Sequence, residues 1–203
     1  MFRFTTLLTL FPVALAATCA NTLPVTGMVC HDFTQSDGTM SAILVNHDRQ
    51  VVDGMPWKSR NATAQDSTNP VPEPFDVNVC NDSTFVRNNP PNVPSVADCR
   101  GVMEWARSNK VAWLLDKHDL ASRVFLPLVT SGQCVFAAGS DGGGIPEYGI
   151  YFGNQDIADL VEFSIRDHTV NNGVATSGCM KCQTMSTNLG IDWTPACWTM
   201  QNV

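Results

Sequence analysis

Along the C-terminal two thirds of the chain, apolar residues recur with two different periods. Cys99, Val102, Met103 and Ala106 stand at i, i+3, i+4 and i+7, one face of a helix. Pro94-Ser95 followed by Asp98 supplies a start resembling a capping box, with Asp in place of Glu or Gln. Asn109 supplies a stop, because asparagine tolerates left-handed geometry. A second stripe, Ile157, Leu160, Val161 and Ile165, leaves Asp156, Asp159, Glu162, Arg166 and Asp167 mostly on the other side. Here Asn154 reads as the N-cap and Asp156 as the first-turn acid that suits the helix dipole. Asn172-Gly173 reads as the stop.

Between and after these helices the period shortens. Gln133 to Ala138 reads as a buried strand, and Tyr148, Ile150 and Phe152 alternate on one face of another. Residues 111–115 and 124–129 are apolar without a clear period, and 173–182 and 191–193 read as strands. Two one-faced helices need a sheet to cover. The predicted fold is α+β, two helices packed on one face of an antiparallel sheet.

The first eighty residues behave differently. An early Arg3, an apolar run from Leu7 to Ala17 and the small-residue ending Ala14-Leu15-Ala16 have the layout of a secretory signal peptide over residues 1–16. The run is shorter than the ~20 residues of a membrane-spanning helix, and no later segment is long and apolar enough to span. Residues 17–79 read as a poorly ordered N-terminal extension and linker, and residues 80–203 as the folded domain. Within the extension, 41–45 and 50–52 fit the arms of a small hairpin, while the polar, proline-rich tract 58–74 predicts a flexible linker.

Cysteine and charge then narrow the class. Cleavage after Ala16 keeps all eight cysteines, Cys19, Cys30, Cys80, Cys99, Cys134, Cys179, Cys182 and Cys197, an even set suited to complete pairing outside the cell. Eight cysteines allow roughly a hundred pairings, and their spacing does not choose among them. Cleavage also removes Arg3 and takes the net charge from −7 to −8. Such a chain is a poor partner for nucleic acid or anionic lipid. Asn61 and Asn81 head N-x-[ST] sequons.

Candidate chemistry is sparse. Asp156 and Asp159 stand at i and i+3 with Glu162 a turn on, but acid–base work needs a desolvated carboxyl, and the apolar stripe places these on the wet face. The turn Asn154-Gln155-Asp156 is instead a candidate recognition surface. Cys179-x-x-Cys182 has metal or redox spacing but no second Cys-x-x-Cys and no paired histidine, so it reads as part of a disulfide framework. Gly139 to Gly144 runs from strand to strand without a lysine, unlike a phosphate cradle. His31 beside Cys30 would need a free thiolate to act as a nucleophile pair, and His168 suits a helix C-terminus. The five tryptophans, Trp57, Trp105, Trp113, Trp193 and Trp198, are core residues by default, or sugar platforms if exposed. No cofactor or metal is expected, and no catalytic residue.

CNDSTFV from Cys80, VADC ending at Cys99, GQCVFAAG around Cys134, YFGNQDIADLVEFSI from Tyr151, GCMKC ending at Cys182 and the late IDW stand in one order. Together they resemble the necrosis-inducing factor domain of secreted effectors from plant-pathogenic fungi, over roughly Cys80 to Trp193. The resemblance implies a small secreted effector, non-enzymatic, with a four-cysteine core of Cys80, Cys99, Cys134 and Cys182. It also implies kinship with small killer toxins of α/β-sandwich fold. On that basis the expected pairs are Cys99–Cys134 and Cys80–Cys182 in the core, with Cys179–Cys197 and Cys19–Cys30 at the periphery. The expected partner is an extracellular host or competitor protein or a glycan. The competing readings are a killer-toxin-like antimicrobial, a cell-wall carbohydrate binder and a secreted enzyme with an unrecognised site.

Overall fold

The structure, a computed structural model, describes residues 18–51, 78–122, 124–140, 149–185 and 191–203. The expected signal segment, the tract 58–74, Asn61, Trp57, Tyr148 and most of the glycine-rich connection lie outside the described residues.

A 3-10 turn at Cys19–Asn21 leads into β1 (Met28–Thr34) and β2 (Met40–Asn46). Then come β3 (Gln50–Val51), β4 (Val86–Arg87), α1 (Val96–Ser108) and β5 (Ala112–Leu115). They are followed by a short α2 (Lys117–Ala121), β6 (Leu126–Ser131), β7 (Cys134–Gly139) and β8 (Ile150–Gly153). The chain ends with α3 (Asn154–His168), β9 (Thr176–Met185) and β10 (Ile191–Asn202). Seven strands form one antiparallel sheet in the order β1-β2-β6-β7-β10-β9-β4, and a smaller sheet has the order β3-β5-β8. The fold is α+β, as the two periods predict; the second sheet was not foreseen.

Both predicted helices are present, with altered ends. Ser95 Oγ accepts the Asp98 N–H at 3.0 Å, a good N-cap. The Asp98 carboxylate does not return the bond; it accepts the Gln133 N–H at 3.3 Å across the β6–β7 turn. At that turn Gly132 has φ +52°, and a Cβ there would fall 2.2 Å from Asp98 Oδ1, so only glycine fits. Asn109 ends α1 through its side chain, Nδ2 donating to Trp105 O at 2.8 Å, and its own backbone is extended rather than left-handed.

The apolar stripes meet the sheet. α1 lies over β2, β6 and β7, and α3 lies beside α1 and against β8. Cys99, Val102, Trp105 and Ala106 are buried in α1, and Ile157, Leu160 and Val161 in α3. They close over Ile43, Val45, Leu128, Phe136, Ala138 and Trp198. Phe136 and Trp198 stack at 5.9 Å. The buried indole N–H groups are satisfied: Trp113 Nε1 donates to Asn46 O (3.0 Å) and Trp198 Nε1 to Ser83 Oγ (2.8 Å). β8 is buried on both faces because it meets β9 as well as α3, so its alternation carries no wet side.

Residues 28–46 correct the N-terminal expectation. Instead of a poorly ordered extension, they form β1 and β2, which pair antiparallel from Met28↔Asn46 to Thr34↔Met40. β2 then joins β6, Ile43 opposite Ser131. Ile43 and Val45 are fully buried, and that burial offsets the ordering cost. The sheet therefore crosses the expected boundary between residues 79 and 80.

The four disulfides are Cys19–Cys30, Cys80–Cys182, Cys99–Cys134 and Cys179–Cys197, the pairs expected above, and no cysteine is free. Cys99–Cys134 fastens α1 to β7, and Cys80–Cys182 fastens the segment before β4 to β9.

Candidate functional site

Residues 78–87 form a strap along the outer edge of β9. Gln183 N donates to Val79 O, Asn81 N to Lys181 O and Thr84 N to Cys179 O, at 2.8–2.9 Å. Val86 then pairs with Ser177 as β4. The approach is close: a Cβ on Gly178 would lie 1.8 Å from Thr84 O, so the strap can dock only against glycine.

The strap's other anchor is Asp156. In the first turn of α3 its carboxylate accepts the Gly153 N–H at 2.9 Å, the Val79 N–H at 3.0 Å and the Cys80 N–H at 3.1 Å. With its amide nitrogen turned toward the carboxylate, Asn78 donates to Asp156 Oδ1 at 2.8 Å and to Cys80 O at 3.1 Å. Asp156 is 6% exposed, which corrects its assignment to the wet face. The helical period places it away from the apolar stripe, but the strap, arriving from 76 residues earlier in the chain, covers it. Asp159 and Glu162 are exposed as expected; the Asp159 carboxylate accepts from Gln155 Nε2 at 2.6 Å, and Glu162 pairs with Arg107 of α1.

The candidate turn is likewise not a surface. Gly153, not Asn154, is the N-cap. Asn154 is fully buried; its Nδ2 donates to Ala106 O at 3.0 Å and its backbone N–H to Val111 O at 2.9 Å. It joins α3 to the end of α1. Of the three residues only Gln155 reaches solvent in part.

Burial pushes the Asp156 carboxyl up to about 6, against the pull of the Val79, Gly153 and Cys80 N–H groups, with a small upward push from Asp159. A raised carboxyl favours the fold when protonated. This contribution is complete below about pH 4 and is lost as the pH rises through about 6. A rise of that size corresponds to about 3 kcal/mol. In urea titrations from pH 4 to 7, the wild type should therefore lose stability relative to Asp156→Asn, which does not titrate. Parallel curves for the two proteins would refute it.

A cleft opens beside the strap as two adjoining depressions of about 220 and 670 Å³. They share Cys80, Asn81, Asp82 and Met180; Phe85, Asp159 and Phe163 line the smaller, and Lys181 and Pro195 the larger. At its base Asp156 is already engaged by the backbone of its own strap and cap. Its geometry is that of an anchor for the cleft wall, not of a base facing a reacting atom. The rim mixes opposite charges, amides and apolar side chains, which suits recognition.

The other sequence candidates lie apart. Cys179 and Cys182 belong to two different disulfides, so they form no metal or redox pair. Cys30 is bonded to Cys19 and offers His31 no thiolate. His168 stacks on Phe85 with centroids 5.9 Å apart, at the C-terminus of α3. Trp105, Trp113 and Trp198 are buried, and Trp193 is 42% exposed; no row of exposed tryptophans exists among the described residues. Asn81 is exposed at the cleft rim.

Two features escaped the sequence reading. The strap and its anchor have no local signal, because donors and acceptor are far apart in the chain. His47 lies between the expected hairpin arms with no signal that sets it apart, yet its ring lies 5.4 Å from that of His31. Burial, and then His47, hold the His31 imidazole below its ordinary value.

No helix among the described residues is long and apolar enough to cross a membrane. No curated protein and no solved structure matches the chain. Residues 79–182 match the model of one family, Hce2, described as pathogen effector, putative necrosis-inducing factor. That stretch contains the strap from Val79 onward, α1, α3, the Asp156 anchor and both core disulfides. With just over half of its length matched, the chain belongs to the Hce2 family of pathogen effectors.

Proposed function

We propose that the protein is secreted and acts outside the producing cell, without catalysis, by binding a host target through the surface around the strap cleft. The observation that carries this reading is the family match over residues 79–182. Four disulfides and the absence of any free cysteine suit an oxidising compartment. A cleft whose buried carboxylate is engaged by backbone amides suits a rigid recognition surface better than a reaction centre. Asn61 and Asn81, the latter exposed beside the cleft, are the glycan acceptors on this reading; a mass loss on enzymatic deglycosylation of secreted protein, smaller for Asn81→Gln, tests it.

The functional test is infiltration of purified protein into leaves, beside a growth assay on competing microbes. Oxidised protein should elicit the leaf response and leave microbial growth unchanged; reduced protein should elicit nothing. Glu162→Gln, at an exposed site of α3 outside the cleft lining, should leave stability within about 0.5 kcal/mol and the response intact. Lys181→Glu, at the cleft rim, should keep the fold and weaken the response. A Glu162→Gln protein that folds but elicits nothing would move an enzymatic or direct-contact role to the helix. A microbial effect without a leaf response would favour an antimicrobial toxin.

A further inference from the structure

We infer that His31 and His47 form a two-imidazole site for a divalent transition metal. The two Nε2 atoms stand 3.2 Å apart. Two imidazole nitrogens bound to one ion at about 2.0–2.1 Å, with an angle between about 100° and tetrahedral, lie about 3.1–3.4 Å from each other. The separation matches that of two neighbouring ligands on a single metal; with ring centroids 5.4 Å apart the nitrogens face each other as a hydrogen-bonded pair, so an ion displaces the shared proton and turns both rings toward itself.

Both residues are held in place before any metal arrives. His31 sits in β1, opposite Ile43 of β2, on the side that faces α1. Its ring packs against the Trp105 ring, with centroids 6.0 Å apart, and Trp105 in turn packs against Trp113. His47 follows β2 directly. Its backbone N–H donates to Gly27 O at 3.1 Å, and its carbonyl accepts from Gln50 N at 3.2 Å. The preceding carbonyl, that of Asn46, accepts from Trp113 Nε1. The His31 ring and the backbone of both residues thus cost little to order, which favours a preorganised site; the exposed His47 ring is left for the ion to fix. His31 is half-buried and His47 exposed, so an ion reaches the site from solvent, drawn by the chain's net negative charge.

Imidazole pairs select copper, nickel or zinc over magnesium or calcium, and Cu²⁺ binds most tightly of the divalent series. Among the described residues no group of three or more histidines, cysteines or carboxylates could hold a metal. The remaining positions are therefore left for water or for a donor from another molecule. A bound ion would join β1 to the segment after β2. Both histidines lie outside the matched stretch 79–182, so the site is a feature of this chain's N-terminal hairpin.

Cu²⁺ is the probe. The untagged, oxidised, full secreted chain is titrated and followed by calorimetry, tryptophan fluorescence and electron paramagnetic resonance, beside His31→Asn, His47→Asn and the exposed-site control His118→Asn. One equivalent should bind, quench fluorescence through Trp105 and show two imidazole nitrogens in the copper spectrum. Affinity should fall at least ~10-fold in His31→Asn and in His47→Asn, and stay within about twofold in His118→Asn. His47 is exposed, so its variant keeps the fold, which circular dichroism verifies. Undiminished binding in His47→Asn, or a spectrum of amine and amide nitrogens, would overturn the site. So would an absence of binding, which would leave the pair as an imidazole–imidazole hydrogen bond.

Discussion

Replacing Cys80 and Cys182 together by alanine should remove about 4–5 kcal/mol of stability, the largest loss expected from any of the four disulfides. The bond closes a loop with a sequence separation of 102. In the chain-entropy model, cross-linking a loop of that size restricts the unfolded chain by about 4.7 kcal/mol. A typical domain is stable by only ~5–15 kcal/mol. The strap keeps other ties to β9, the backbone bonds of Val79, Asn81 and Thr84, but these act in the folded state and do not limit the unfolded ensemble. They therefore do not replace the disulfide. The short loop closed by Cys19–Cys30, with a separation of 11, should contribute less, about 3 kcal/mol on the same model, and its loss should spare the core. Urea unfolding of the two double variants, with limited proteolysis, reads both. A loss below about 1 kcal/mol for the Cys80/Cys182 variant would mean that the unfolded chain is already compact, and the entropic account would fail.

Asp156→Ala should cost about 3 kcal/mol at pH 7, while Asp159→Ala, one turn along the same helix, should be close to neutral. The carboxylate of Asp156 is the acceptor for three backbone N–H groups, those of Val79, Cys80 and Gly153. Removing it leaves buried donors without a partner, at roughly 1–3 kcal/mol for each that water cannot reach. Val79 is 3% exposed, so water does not replace its acceptor; Cys80 is half-buried and recovers part of its loss. Asp156→Asn keeps one acceptor oxygen and should fall between the two. Chemical denaturation of the three variants gives the ranking. Hydrogen exchange should also show the Val79 and Cys80 amides losing protection in Asp156→Ala before the core does, because the strap loosens locally. An Asp156→Ala protein within about 0.5 kcal/mol of wild type would remove the anchor from the account of the cleft.

Local pattern was enough where the answer is local. The stripes Cys99-Val102-Ala106 and Ile157-Leu160-Val161 are buried in α1 and α3, because a helix period reports which face leaves water, whatever that face meets. The Ser95 cap is there for the same reason: its partner is three residues away. The disulfide pairing needed more than spacing, which left every connectivity open. The expected core cysteines came with the family resemblance, and the sheet register brings two of the four pairs together, Cys197 opposite Cys179 in β10 and β9 and Cys80 bridging to Cys182.

What the sequence determined by itself was the α+β class, the two helices, most core strands and an even cysteine set. What only the tertiary structure decided was which polar residues lose their water. Asp156 and Asn154 carry every local mark of a solvated helix start, yet a strap and a neighbouring helix end, 76 and 48 residues away in the chain, enclose them. His31 and His47 converge only because β1 and β2 pair in one register. Period and propensity describe a residue against its near neighbours. Burial of a polar group depends on long-range partners, which exist only once the chain has closed on itself.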